Sequence, residues 1–313
     1  MTEAGGPGGR RVLVAGAGGY LGASIVRAFV ESGWSVLGLV RDPARNSRVE
    51  AAGGVPVLGD VLDPSAVNSA ARGCEVVVHV AAASAGGPGG SERAARVRVD
   101  GCRNLMRAGR AQGARRVVVG SGYWVYADHE GTITEESALN PRGESLINAN
   151  TETVARTESA RSGPEVVIVR PGMVYGNGSW CRATIDAIRA GTYSYVGDGS
   201  NAWSFVSLED TGTGFARVAE SGEPGQVYNL VDGRPAAWRE FGGFVAARLS
   251  CAPPQGVPRG TASVELGPDV AHHLSARRAC SSAKIQSIGW KPRYRDFRDG
   301  LEVTLDQVLR ERR

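Results

Sequence analysis

The chain has 313 residues, a formal net charge of +4, and 42 % apolar and 22 % charged residues, the proportions of a soluble globular protein with room for one large α/β domain and an added lobe. Its arginines are scattered, with no basic block ahead of the Arg-rich C-terminus, which speaks against a nucleic-acid partner, and no long apolar span or signal peptide points to a membrane or to export. The five cysteines, Cys74, Cys102, Cys181, Cys251 and Cys280, are far apart and lack metal-ligand spacing, so free thiols in a reducing cytoplasm and no bound metal are expected.

Residues 1–10 are Gly-rich and read as a tail. The apolar run Val12-Leu13-Val14-Ala15 then ends in Gly16-Ala17-Gly18-Gly19-Tyr20-Leu21-Gly22, and Leu21, Ile25, Val26, Phe29 and Val30 follow at helical spacing. Buried strand, tight turn and amphipathic helix are the natural reading. Glycines without Cβ let backbone N–H groups approach a pyrophosphate, and the helix N-terminus adds partial positive charge. The spacing Gly16-x-x-Gly19-x-x-Gly22 departs from the strict dinucleotide fingerprint, because Leu21 stands where that pattern wants glycine. A plain strand-to-helix turn would look alike. Gly16, Gly18, Gly19, Tyr20 and Leu21 are the expected cofactor contacts.

A second strand is expected over 34–40, closed by Arg41-Asp42-Pro43. The position after this strand faces the adenosine ribose in dinucleotide folds, and an arginine there suits a 2′-phosphate. Arg41 therefore favours NADP, with Arg45 or Arg48 assisting. Asp42 could instead hold a ribose diol, but Asp before Pro is also what a helix N-cap looks like. Residues 55–58 read as a third strand. Asp60 and Val61 past its end face the adenine, or Asp60 caps a helix opening at Pro64. Residues 75–80 read as a fourth strand running into Ala81-Ala82-Ala83, small residues that let a cofactor lie flat. His79 within it is a core histidine by default. Gly86 to Gly90 reads as a loop, 91–112 as a helix and 116–119 as a fifth strand. Strands alternating with helices imply an α/β, Rossmann-type doubly wound parallel sheet with ligands at the strand C-terminal rim.

The landmarks Gly16-x-x-Gly19-x-x-Gly22, Asp60-Val61, His79-Val80-Ala81-Ala82-Ala83, 117–126, 169–176, 205–210 and 288–294 recur in order along nearly the whole chain. In this it resembles the extended short-chain dehydrogenases/reductases, the nucleotide-sugar epimerase/dehydratase-like branch. The resemblance implies a Rossmann domain over 1–171 and 203–231. It also implies a smaller substrate-binding lobe over 172–202 and 232–313, with Pro171 and Val174 walling the nicotinamide. The aromatics Tyr193, Tyr195, Trp238, Phe241 and Phe244 read as pocket wall or as core, and His272-His273 as surface or pocket rim.

That family works with a Ser or Thr and a Tyr-x-x-x-Lys. Counting back four from Tyr126 puts Gly122 at the Ser position, with Ser121 one place off. Aligning on Glu152 puts Ser145 and Ala149 at the Tyr and Lys positions. The chain's lysines are Lys284 and Lys291, preceded four residues earlier by Cys280 and Ser287, so it contains no Tyr-x-x-x-Lys. Losing a positioned general acid costs roughly a hundredfold to ten-thousandfold, whereas hydride transfer belongs to the cofactor. Ser121, Tyr123, Tyr126, Ser145 and Tyr175 remain as side-chain proton sources, with Ser121 and Tyr123 as catalytic candidates and Ser121 also beside the cofactor. Ordered water or a substrate hydroxyl could serve instead. Reduction suffers least from the loss, as in the atypical ketoreductases of aromatic polyketide antibiotic biosynthesis, which lack the same triad. The expectation is an NADPH-dependent ketoreductase acting on an angucyclinone-like ketone, as monomer or homodimer. A non-catalytic NADP-binding regulator and a nucleotide-sugar enzyme with a relocated base are the alternatives.

Overall fold

The computed structural model describes residues 9–83 and 90–311. The tail read over 1–10 and the loop read at Gly86–Gly90 lie mostly outside them. Seven parallel strands form the central sheet: β1 (Arg11–Ala15), β2 (Ser35–Val40), β3 (Val55–Leu58), β4 (Val76–His79), β5 (Arg116–Gly120), β6 (Glu165–Pro171) and β7 (Val227–Leu230). Their order is β7-β6-β5-β4-β1-β2-β3. β1, β4 and β5 are unbroken apolar runs because helices cover both faces. β3 ends the sheet, which leaves Val55 and Leu58 exposed.

The order reverses between β1 and β4, so chain connections diverge there and open a crevice at the strand C-terminal ends. The helices used below are α1 (Tyr20–Glu31), α2 (Pro64–Ala70), α3 (Gly101–Gln112), α4 (Glu144–Ala160), α5 (Ser179–Arg189), α6 (Leu208–Ser221), α7 (Trp238–Leu249), α8 (Pro268–Ser275) and α9 (Phe297–Arg310). One apolar layer packs α1 and α6 on the sheet, and a second packs α2 and α3 on the other face. The helix expected over 91–112 is interrupted. A short helix Gly90–Ala95 passes into a π-helical turn Arg96–Asp100 before α3 begins.

A third cluster joins α5, α7 and α9 through aromatic rings. Trp203 stacks on Trp238 at 4.1 Å, and Phe241 lies 4.9 Å from Trp238 and 5.4 Å from Phe205. The core reading of Trp238 and Phe241 therefore holds, and Tyr193 and Phe244 pack against the same cluster. His273 is not on the surface: it is 3 % exposed and bonded within the fold. No helix among the described residues is long and apolar enough to cross a membrane.

Candidate active site

A groove of about 560 Å³ runs along the crevice, lined by Gly16, Gly18, Gly19, Tyr20, Leu21 and Gly22 on one side and by Ala81, Ala82, Val97 and Arg98 on the other. Gly16 has φ +93°, and a Cβ there would lie 2.6 Å from Ala81 N. At Gly22 it would lie 2.0 Å from Gly16 O. Both positions thus need glycine for β1, the turn and the Ala81 segment to close together. Gly19 caps α1 with no side-chain bond, which leaves first-turn N–H groups for an anion. A dinucleotide pyrophosphate fits this cradle.

At the far end of the groove stand Arg41, Asp42 and Arg45, with Asp60 and Val61 beside them. Asp42 Oδ1 accepts from Ala44 N at 3.0 Å and caps the turn Pro43–Arg45. Arg41 and Arg45 have no carboxylate partner among the described residues, and Arg41 is exposed. Asp60 does not cap the helix at Pro64. Its Oδ1 accepts from Leu62 N, and the cap of α2 is Asp63, which accepts from Ser65 N and Ala66 N.

Outside the groove lining, Ser121 follows β5. Its Oγ donates to Glu152 Oε1 at 2.6 Å. Glu152 is also gripped by Arg170, Nε to Oε1 at 2.8 Å and NH2 to Oε2 at 2.6 Å. Glu152 and Arg170 are 5 % and 3 % exposed, and the guanidinium lies over the Tyr126 ring, whose hydroxyl donates to Asn229 Oδ1. The single Ser121 proton is thus committed to a buried ion pair. Tyr123 lies in an apolar cluster with Tyr126, Ile133, Val231 and Cys280, 1 % exposed, and burial pushes its phenol far above the usual range.

Ser145 is buried at the start of α4, where its Oγ donates to Arg142 O and accepts from Arg142 N. His273 lies 3.3 Å from that oxygen. Arg278 NH2 donates to His273 Nδ1, so that nitrogen carries no proton, and Nε2–H donates to Arg142 O. Burial lowers the His273 pKa, with the Arg278 charge acting in the same direction.

The side chain of α4 that approaches Gly122 is Asn148, one place before Ala149. A methyl group built onto Gly122 would sit 3.3 Å from Asn148 Nδ2. Asn148 Oδ1 accepts from Arg98 NH2 at 2.6 Å, and the same nitrogen donates to Gly120 O at 2.8 Å. Arg98 sits in the π-helical turn, and its carbonyl accepts from His79 Nε2 at 2.9 Å. Arg98 and Asn148 were not foreseen from the sequence. The segment after the Ala81–Ala83 rim carries Arg93, Arg96 and Arg98, and no signal in the sequence singles out Arg98.

Of the expected cofactor contacts, Gly16, Gly18, Gly19, Tyr20, Leu21, Arg41, Asp60, Val61, Ala81 and Ala82 share the groove. Ala83, Ser121, Pro171 and Val174 do not line it. Ala83 packs against the α2–α3 layer. Pro171 ends β6 beside Leu230, and the Val174 carbonyl accepts from Trp180 Nε1 at 2.7 Å. Ser179 of α5 joins the groove wall instead.

Residues 12–230 match the NAD dependent epimerase/dehydratase family. A "3-diazoavenalumate denitrifying reductase" from Streptomyces sp is 31 % identical over 93 % of this chain and 99 % of its own. A "4-hydroxy-2-methyl-3-oxo-4-farnesyl-3,4-dihydroquinoline-1-oxide ketoreductase" from Stigmatella aurantiaca is 30 % identical over 74 % of this chain and 71 % of its own. The dTDP-glucose 4,6-dehydratase of Streptomyces venezuelae, solved as a double mutant with NAD bound, superposes with TM-score 0.79 at 25 % identity, covering 95 % of this chain and 96 % of that one. The sheet order, the glycine cradle and these matches together place the chain in the NAD-dependent epimerase/dehydratase family of extended short-chain dehydrogenases/reductases.

Proposed function

We propose that this chain is an NADPH-dependent ketoreductase that reduces a carbonyl on an aromatic, polyketide-like substrate in antibiotic biosynthesis, with no side-chain general acid at the reacting oxygen. One observation carries the reading: a groove that fits a dinucleotide is lined by Arg98, which reaches Asn148 beside Gly122, and the chain has no Tyr-x-x-x-Lys, because its lysines are Lys284 and Lys291 alone. NADPH, when bound, supplies the hydride. Arg41 and Arg45 would take its 2′-phosphate with charge-assisted bonds. The Gly16–Gly22 turn and the α1 N-terminus would hold the pyrophosphate. Ser121 has its proton on Glu152, and Tyr123 is buried away from the groove, so neither is the acid in this reading. A hydroxyl of the substrate beside the ketone, or water, completes the reduction. Oxidation of a sugar alcohol would need a base, which is why reduction is favoured over epimerisation or dehydration.

A second reading, hydride delivery to an aryl-bound diazo group, is favoured by the full-length match to the diazo-acting relative. The Arg98 cation weighs against it for a cationic diazonium, which it would repel on binding, a cost that a neutral carbonyl does not incur. Purified protein is incubated with 4-deuterated NADPH and a hydroxyaryl ketone. Consumption at 340 nm with one deuterium in the resulting carbinol supports the reading. NADPH binding without consumption across hydroxyaryl ketones, or release of N₂ from a diazo substrate as the sole activity, overturns it.

A further inference from the structure

We infer that Asn148, polarised by Arg98, is the residue that holds the substrate's carbonyl oxygen during reduction; this rests on the ketoreductase reading above. A guanidinium can only donate. The atom of Asn148 that meets Arg98 is therefore Oδ1, and Nδ2 with its two N–H bonds is turned away from the arginine toward Gly122. Gly122, just past the C-terminal end of β5, has no side chain, so no Cβ stands against Nδ2 there. Arg98 itself lines the cofactor groove together with Val97 and Ala82.

The placement is held from both sides. On one, Arg98 NH2 is tied to Gly120 O at the strand end. On the other, the Arg98 main chain is tied to His79 at the end of β4. Swinging the cation away would break the bond to Gly120 O, while the His79 bond fixes the main chain from which it springs. Donation from a cation to Oδ1 draws electron density from the amide and makes Nδ2–H a stronger donor. The arrangement supplies positive character without a transferable proton.

The step balances as follows. The carbonyl carbon accepts hydride from NADPH with its electron pair, and the C=O π pair moves onto oxygen. The alkoxide so formed is held by Asn148 Nδ2–H and takes its proton afterwards from water or a neighbouring substrate hydroxyl. Asn148 touches the reacting oxygen; Arg98 is a positioning residue that acts through it. Amide side chains serve as oxyanion donors at about a hundredfold to a thousandfold each.

The test pairs turnover with a spectroscopic probe. In Asn148→Ala and Asn148→Asp, kcat with a hydroxyaryl ketone should fall by about a hundredfold or more, while the Kd for NADPH, read by fluorescence, stays within about threefold. Asn148→Asp keeps size and can still accept from Arg98, so folding is preserved. Arg98→Met should lower kcat by about tenfold, with partial recovery in Arg98→Lys. Independently, 4-nitrophenol is titrated at 400 nm in the presence of NADP⁺. The wild-type site should lower the apparent pKa of the bound phenol, and Asn148→Asp should raise it above that of the free phenol. Unchanged kcat and an unchanged probe pKa in the Asn148 variants of an active wild-type enzyme overturn this inference alone. A wild-type protein that shifts the probe but never consumes NADPH upholds the oxyanion site and overturns the ketoreductase reading.

Discussion

Replacing Glu152 by Ala strips the counter-charge from a guanidinium that is 3 % exposed, and the size of the effect can be worked from the contacts. Arg170 loses both short bonds, at 2.8 and 2.6 Å, and its NH1 already has no partner. What remains is the Tyr126 ring 4.8 Å from the guanidinium carbon, a weak substitute for a carboxylate. Breaking a buried pair by removing one partner costs about 3–5 kcal/mol. An unfolding entropy of about 2.1 cal/mol/K per residue over this length gives roughly 0.66 kcal/mol per degree, so Tm should fall by about 5–8 °C. The assay is scanning calorimetry at neutral pH. Glu152→Gln keeps an acceptor for Ser121 and Arg170 and should lose about half as much. Glu152→Leu with Arg170→Met leaves no orphan charge and should be less damaging than Glu152→Ala alone. A fall below about 2 °C in Glu152→Ala, or a double variant worse than the single one, would refute the view that this pair is held dry.

Arg41→Ala should weaken NADPH binding by about tenfold, since the site is exposed and screened, and leave NADH within about threefold; equal loss in fluorescence titrations would turn the cofactor assignment toward NADH. Tyr123→Phe should keep kcat/KM within about threefold, and a hundredfold loss in steady-state assays would make the phenol the acid after all. His79 is fully buried and desolvation takes its pKa down to about 4 from 6.5. The unfolded chain therefore binds a proton over that window that the folded chain refuses, so this contribution is complete above pH 6.5 and lost as pH falls, by roughly 2 kcal/mol at pH 5. His79→Gln should flatten the Tm slope between pH 7 and pH 5, and an unchanged slope would exclude His79 as its source. For reduction, kcat should be level from about pH 6 to 9, because an amide and a guanidinium do not titrate there; a bell-shaped profile would reveal a hidden acid.

The sheet was legible because β1, β2, β4 and β5 are buried on both faces and leave unbroken apolar runs between turn residues. The observed strands agree with the expected ones to within a residue at each end. The cradle was legible for a similar reason: Gly16 and Gly22 are positions where backbone meets backbone, and only glycine fits. Asp42 read correctly as a cap, while Asp60 did not, because Asp60 and Asp63 both precede Pro64 closely and only geometry tells which carboxylate reaches the α2 amides. The catalytic end was less legible. Aligning α4 on Glu152 sets its rotation only within about a residue, and Glu152 shares its face with the residue four places earlier. That residue is Asn148, not Ala149. Arg98 was hidden because the π-helical turn shifts the faces of the helix that a periodic reading assumes to be continuous. The aromatic residues of the second half gave no way to separate wall from core, since both want large flat side chains.

A Tyr–Lys pair lets a short-chain dehydrogenase run in either direction, because the phenol can give a proton to an alkoxide or take one from an alcohol. An amide held by a cation is not symmetric in this way. It stabilises oxygen as negative charge builds during reduction, but it cannot remove the proton that an alcohol must lose before it yields hydride. The Ser121 hydroxyl does not repair this, since its proton already rests between Oγ and the Glu152 carboxylate, both of whose oxygens Arg170 grips. His273 does not repair it either: its one accepting nitrogen faces Arg278, and its N–H faces the Arg142 carbonyl. In the proposed reduction, the polar groups around Gly122 therefore suit a substrate whose carbonyl is already electron-poor. Epimerisation, which must pass through an oxidised sugar and back, asks for the direction in which these groups offer least.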